Sequence, residues 1–220
     1  MIKNKPKLSF RQISNINDIH FEKAITIYDE SFPSNEKQPI SLIKKRVTET
    51  TSSLFVGLLN NKVVCMALLW DFKDLEFMLL DYMAVDKEHR NNKIGTSFFE
   101  FLSDTVTTFN KYMIIEAENY LFGNHKELRK QRINFYIRNG AFILKEIPYI
   151  LPSLDKTIAT EMLLMISPRY QDDCMDFEKI EKLITYLYTN LYDKSENDAL
   201  LISILKNTPR KISQNNTFIP

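Results

Sequence analysis

The sequence predicts a mixed α/β fold, a central β-sheet flanked by helices, with a C-terminal helical extension. Two observations carry this. Short apolar runs of strand length are interleaved with longer stretches whose apolar residues recur every three or four positions, the helical period. Beyond Pro168 the strand-like runs cease and helical periodicity dominates.

Taken in order, Leu8–Ile13 reads as a first strand. Over residues 18–32 the apolar positions Ile19, Phe21, Ala24, Ile25, Tyr28 and Phe32 fall at helical spacing, and Pro33, which has no amide hydrogen, stops the helix. A second helix follows Pro39 with Ile40, Ile43 and Val47 on one side. Residues 54–59 and 63–70 are apolar runs joined at Asn60-Asn61-Lys62, the pattern of a hairpin. A longer strand spans 75–85, a polar loop 86–93, and a helix runs over 95–109. Residues 112–117 form the next strand. A helix over 126–139 closes at Gly140, a residue suited to the left-handed conformation that ends many helices. Strands at 141–147 and Thr160–Ile166 complete the sheet.

These elements make residues 1–168 one domain. Residues 169–206 form the helical extension, in which Met175, Phe177, Ile180, Leu183, Ile184, Leu187, Tyr188 and Leu191 make an apolar stripe, followed by Leu200, Leu201, Ile204 and Leu205. That stripe must be covered, by the parent domain in preference to a second copy in a homodimer or a role as a wall of the substrate site. Residues 207–220 are polar and Pro-flanked and read as a flexible tail.

Composition narrows the function classes. A chain of 220 residues with 44% hydrophobic composition buries one substantial core. Its 29 basic and 28 acidic residues leave a net charge of +1, no general attraction for nucleic acid or an anionic membrane. No apolar run reaches the roughly 20 residues that span a bilayer, and the start Met1-Ile2-Lys3-Asn4-Lys5 is polar. The expectation is a cytoplasmic chain without membrane or nucleic-acid partners. Cys65 lies in an apolar run and Cys174 in an acidic one, so both read as free thiols. His20, His89 and His125 are scattered without ligand spacing, so no metal is expected.

The chemistry is concentrated in Asp86-Lys87-Glu88-His89-Arg90-Asn91-Asn92-Lys93-Ile94-Gly95-Thr96. A strand feeding a polar loop that opens a helix aims the loop amides and those of the first helical turn at one spot, which favours an anion. Arg90 and Lys93 add positive charge there, and Gly95 permits close approach to the backbone. A pyrophosphate fits.

The segment Arg90-Asn91-Asn92-Lys93-Ile94-Gly95 resembles the Gln/Arg-x-x-Gly-x-Gly/Ala loop of the GNAT acyltransferase superfamily, with the preceding strand ending Met83-Ala84-Val85. Lys93 stands where that pattern has its first glycine. Either the loop takes a conformation that a side chain tolerates, or Lys93 exchanges flexibility for a charge on the phosphates. A second match lies at Arg132-Ile133-Asn134-Phe135-Tyr136-Ile137-Arg138-Asn139-Gly140-Ala141-Phe142. It resembles the later GNAT segment in which a helix carries a tyrosine, ends at a glycine four residues on, and enters a strand with an aromatic. Two of the four glycines in the chain occupy these motif positions. Ser31-Phe32-Pro33 with Glu36 is similar to a variant of the region after the first helix in some members. The resemblance covers Leu8 to Ile166.

The resemblance implies an acyl-CoA-dependent N-acyltransferase that moves acetyl from acetyl-CoA, or acyl from another acyl-CoA, to a primary amine by direct attack. It implies that the strand ending at Val85 splays from the one beginning at Tyr112, leaving a slot for pantetheine. Backbone groups of Met83 and Val85 would pair with the pantetheine amides. Arg90, Asn91, Asn92, Lys93, Ile94, Gly95 and Thr96 would hold the pyrophosphate. Tyr136 would protonate the departing thiolate.

Strand alternation places Asp81 on one face with Leu75, Phe77, Leu79, Met83 and Val85. A lone carboxylate there suits a base for the ammonium proton, or a group that bonds a loop or pairs with a buried arginine. Glu116 and Glu118 alternate onto one face with Ile114, either across the acceptor cleft to hold a cationic amine or solvated at a strand end. Arg132 and Arg138 are either phosphate contacts or surface residues. A rival function is a non-catalytic sensor or scaffold that binds acyl-CoA without turning it over.

Overall fold

The structure, a computed structural model, describes residues 7–32, 36–152, 160–167, 170, 172, 174–215, 217 and 219. The chain folds as two compact units. One comprises Met1–Asp71 and Met78–Thr105, the other Phe72–Phe77 and Val106–Pro220.

The first unit is built on β1 (Leu8–Ile13), β2 (Ser52–Leu59), β3 (Lys62–Asp71) and β4 (Phe77–Val85), antiparallel in that order. Asn60 and Asn61 close the β2–β3 hairpin with φ of 50° and 63°, the turn type whose twist matches its strands and which tolerates asparagine. Alternation along the strands gives the sheet two apolar faces. On one, Leu54, Val56, Met66, Leu68, Tyr82 and Ala84 share a core with α1 (Phe21–Ser31) and α2 (Ile40–Thr48). On the other, Phe10 stacks at 5.2 Å on both Phe98 and Phe101 of α3 (Ile94–Thr108), with Phe55 edge-on to Phe101.

Several boundaries differ from expectation for local reasons. Helix α1 begins at Phe21, because Asp18 is drawn to Arg11 at 2.7 Å and accepts the His20 amide. Strand β4 begins at Phe77, because the Leu75 amide bonds Phe72 O in a turn. Pro33, expected to stop α1, lies outside the described residues; Phe32 before it is already extended, as a residue preceding proline should be.

The second unit contains β5 (Tyr112–Glu118), β6 (Phe142–Leu144), β7 (Ile150–Leu151), β8 (Thr160–Ile166), β9 (Cys174–Asp176) and β10 (Lys211–Asn215). Their order is β5-β8-β6-β10-β9, with β7 on β8, and every pairing is antiparallel. Helix α4 (Lys126–Arg138) precedes β6. Helix α5 (Phe177–Tyr186) continues into a wider turn over Leu187–Leu191, and α6 (Ala199–Asn207) follows, capped by the Asp198 carboxylate on the Leu200 and Leu201 amides. Each unit is therefore an antiparallel sheet with flanking helices, the mixed α/β class expected.

The segment 207–220, expected to be a flexible tail, contributes a strand. Ile212 of β10 is fully buried opposite Met175, and Gln214 faces Leu144. One isoleucine among polar residues does not announce a strand in sequence, yet the ladder satisfies the backbone on both sides. Pro168, Asn216, Phe218 and Pro220 lie outside the described residues. Met175, expected in the first helix of the extension, belongs to β9. The strand expected over 141–147 ends at Leu144, and Glu146 turns the chain with φ of 62°.

Candidate functional site

The proposed site residues of the first unit run along β4 into the loop before α3. In the β3–β4 ladder Leu68 faces Tyr82 whereas Leu69 faces Leu80, so Asp81 is the extra residue of a β-bulge. The bulge breaks the alternation assumed from sequence. Through their β3 partners, Met83 and Val85 share a face with Leu80 and Met78, while Leu79 and Phe77 share the other with Tyr82 and Ala84. Asp81 is therefore set apart from the apolar rows. Its Oδ2 lies 3.7 Å from Nη1 of Arg46, and both side chains are largely buried. The Arg46 guanidinium stacks on Trp70 at 4.1 Å. Pairing with a buried arginine, one of the roles open to Asp81, is present.

Val85 ends β4, and its carbonyl accepts the Arg90 Nε–H at 3.2 Å. The Asp86 carboxylate accepts the Glu88 amide and pairs with Lys23 at 2.8 Å, which holds its pKa below the ordinary value, mainly through the Lys23 bond. Asn92 Nδ2 donates to His89 O. Asn91 and Lys93 have φ of 65° and 58°. The position where the family pattern has glycine thus keeps a left-handed conformation that glycine takes freely and lysine takes at a cost of roughly 1 kcal/mol. Ser97 N–H to Lys93 O is the first helical hydrogen bond of α3, so the amides of Ile94, Gly95 and Thr96 lie ahead of it. The Arg90, Asn91, Asn92, Lys93 and Thr96 side chains are exposed, and Ile94 is buried as an anchor. A cleft of about 310 Å³ adjoins the loop, lined by Ile27, Glu30, Ser31, Asp86, Lys87 and Arg90.

The α1–α2 connection is held by two tyrosines. Tyr28 donates to Gln38 O at 2.9 Å, and Tyr82 donates to Glu36 O at 2.8 Å. Burial raises the pKa of both phenols. Neither these tyrosines nor Arg46 and Trp70 stood out in sequence, since each reads as an ordinary helix or strand residue.

In the second unit α4 presents Tyr136. Gly140, with φ of 84°, closes the helix. Its amide bonds Ile137 O while the Ala141 amide bonds Tyr136 O, the paired arrangement that satisfies orphan carbonyls. The glycine four residues after Tyr136 thereby sets the end of the tyrosine's own turn. Tyr136 is half-buried beside Phe135, and burial raises its pKa while Arg132 draws it back. Arg132, weighed as a phosphate contact, lies 3.5 Å from Glu118, which also pairs with Arg129 at 2.6 Å. Arg138 is exposed.

Both carboxylate oxygens of Glu116, which is partly exposed, are engaged. Oε1 accepts the Tyr149 hydroxyl and Oε2 the Tyr192 hydroxyl at 2.6 Å. Burial raises its pKa, and the two phenols oppose that rise. Neither partner was visible in sequence: Tyr149 sits between Pro148 and Pro152, and Tyr192 lies 76 residues away. Among the described residues no cluster of three His, Cys, Asp or Glu side chains could hold a metal, and no helix is long and apolar enough to cross a membrane.

No protein-family model matches the chain, and no curated protein matches it in sequence. Solved structures do. A protein assigned to the GNAT family of acetyltransferases from Bacteroides thetaiotaomicron superposes with a TM-score of 0.69 at 22% identity, over 85% of this chain and 99% of that one. An aminoglycoside 6′-N-acetyltransferase complexed with coenzyme A gives 0.56 at 14% identity, over 75% and 99%. The ribosomal-protein-S18-alanine N-acetyltransferase from Escherichia coli gives 0.53 at 15%, over 76% and 96%. At these identities the likeness is one of backbone, and with the two sequence motifs in place it shows that this chain has the fold of the GNAT acetyltransferases.

Proposed function

We propose that the chain is an acyl-CoA-dependent N-acyltransferase that transfers acetyl from acetyl-CoA to a primary amine by direct attack. The observation that carries this reading is the junction of β4 and α3. A bulged strand leads through a loop with left-handed Asn91 and Lys93 to three helix-opening amides, with Arg90 and Lys93 exposed beside them. Such amides receive a pyrophosphate without moving. Coenzyme A in a protein of the same fold supports the choice of carrier, and two N-acetyltransferases among the neighbours support an amine acceptor.

In this reading the backbone of Met83 and Val85 pairs with pantetheine, and residues 90–96 hold the diphosphate. The neutral amine attacks the thioester carbonyl, the C–S bond breaks as the tetrahedral intermediate collapses, and Tyr136 gives its proton to the departing sulfur. The raised pKa of Tyr136 keeps it protonated for that step. Asp81, with Arg46 beside it, takes the ammonium proton through a water, and Glu116 draws the cationic amine. Positioning supplies much of the acceleration because the thioester is already activated. The enzyme works in the cytoplasm, without metal, membrane or nucleic acid. A homodimer is compatible with the same reading.

Free-thiol release from acetyl-CoA in the presence of a panel of amines tests the proposal. Amine-dependent release supports it. Acetyl-CoA binding without release favours the second reading, a sensor or scaffold. Two features speak for that alternative: Lys93 at the glycine position, and Asp81 already engaged by Arg46.

A further inference from the structure

Glu116 is a carboxylate whose two oxygens are each claimed by a tyrosine from a different part of the second unit. Tyr149 lies just before β7, and Tyr192 just after the wide turn that follows α5. Tyr188 stands edge-on to both rings at 6.4 Å. Its hydroxyl is spent on Ile150 O, so it walls the cluster without competing for the carboxylate.

We propose that Tyr192, supplied by the C-terminal extension, is a positioning residue that with Tyr149 orients Glu116 to receive the ammonium group of the acceptor. This rests on the acyltransferase reading above. A carboxylate oxygen accepts about two hydrogen bonds. One phenol on each oxygen therefore fixes the plane of the group and leaves an acceptor direction on each oxygen for a protonated amine. Glu116 and Tyr192 retain partial exposure, whereas Tyr149 and Tyr188 are buried, so the cluster opens on the side of Glu116 and Tyr192.

The extension does not need this contact to stay in place. Ile180, Leu183, Ile184, Leu187 and Tyr188 are fully buried and anchor it by apolar burial. A hydroxyl aimed at a charge that is costly to bury is better explained by what it does to the charge. Among the described residues the titratable groups facing Glu116 are Tyr149, Tyr188 and Tyr192, and the Tyr149 and Tyr192 phenol bonds oppose the rise that burial imposes. Removing one hydroxyl should raise the Glu116 pKa further.

The test is Tyr192→Phe in the full chain, read two ways. With an amine that wild type acetylates, the expected result is an amine KM raised about tenfold, the size of one lost charge-assisted hydrogen bond, with acetyl-CoA KM within about twofold. The second readout is the titration midpoint of the Glu116 carboxyl by carbon NMR, expected to move to higher pH in the variant. An unchanged amine KM with an unmoved midpoint overturns the proposal, and so does a lowered melting temperature with neither change. Tyr149→Phe should act in the same direction and guards against a local defect at Tyr192. Wild type that acetylates no amine overturns the acyltransferase reading and the acceptor role with it, while the midpoint still decides separately whether Tyr192 holds the carboxyl.

Discussion

Arg46 and Asp81 form an ion pair at 3.7 Å, with the arginine stacked on Trp70 and the aspartate on the bulge of β4. A residue of α2 is thereby tied to the strand that carries the proposed catalytic carboxylate. Removing one partner leaves the other charge largely buried. Arg46→Met should destabilise by about 3 kcal/mol, and Asp81→Asn in the same chain should recover most of that loss. Urea unfolding of the two single variants and the double variant measures the coupling; additive effects would mean that the pair contributes no stability of its own.

Tyr136→Phe removes the proposed proton donor and keeps the ring against Phe135. The expected result is a maximal rate lowered about a hundredfold with acetyl-CoA affinity unchanged. An unaltered rate would take Tyr136 out of the mechanism.

Glu116 carries a pH signature. Burial raises its folded pKa above the ordinary carboxyl value, so the folded protein holds that proton more tightly than the unfolded chain does. The resulting stabilisation is complete below the ordinary carboxyl range and is lost as pH rises through the raised folded value. At neutral pH the ionised carboxylate therefore costs the folded state stability relative to the unfolded chain. Glu116→Gln should melt higher than wild type there, and the gap should close on acidification to about pH 4. Thermal melts across that range decide; a gap that widens toward acid would reverse the sign assigned to Glu116.

Lys93→Gly relieves a left-handed side chain and removes a positive charge from the loop. Stability should rise by about 1 kcal/mol, while affinity for coenzyme A at low salt should fall several-fold and converge on wild type as salt screens the charge. Calorimetric titration at two ionic strengths separates the effects. Unaltered low-salt affinity would show that Lys93 does not face the phosphates.

Local information determined a good part of this protein. Helical spacing in Phe21, Ala24 and Tyr28, the Asn60-Asn61 hairpin, the loop from Arg90 to Thr96 opening α3, and Gly140 closing α4 all express preferences of neighbouring residues, so they were legible along the chain. Tertiary structure decided the rest. The bulge at Asp81 depends on the register against β3, and the strand at Lys211–Asn215 exists because β6 and β9 lie on either side of it. The partners of Asp81 and Glu116 come from Arg46, Tyr149 and Tyr192, which are remote in sequence. A side chain's spacing can report which face it occupies, but which charge or hydroxyl meets it there depends on distant segments brought together by packing, and no local pattern encodes that meeting.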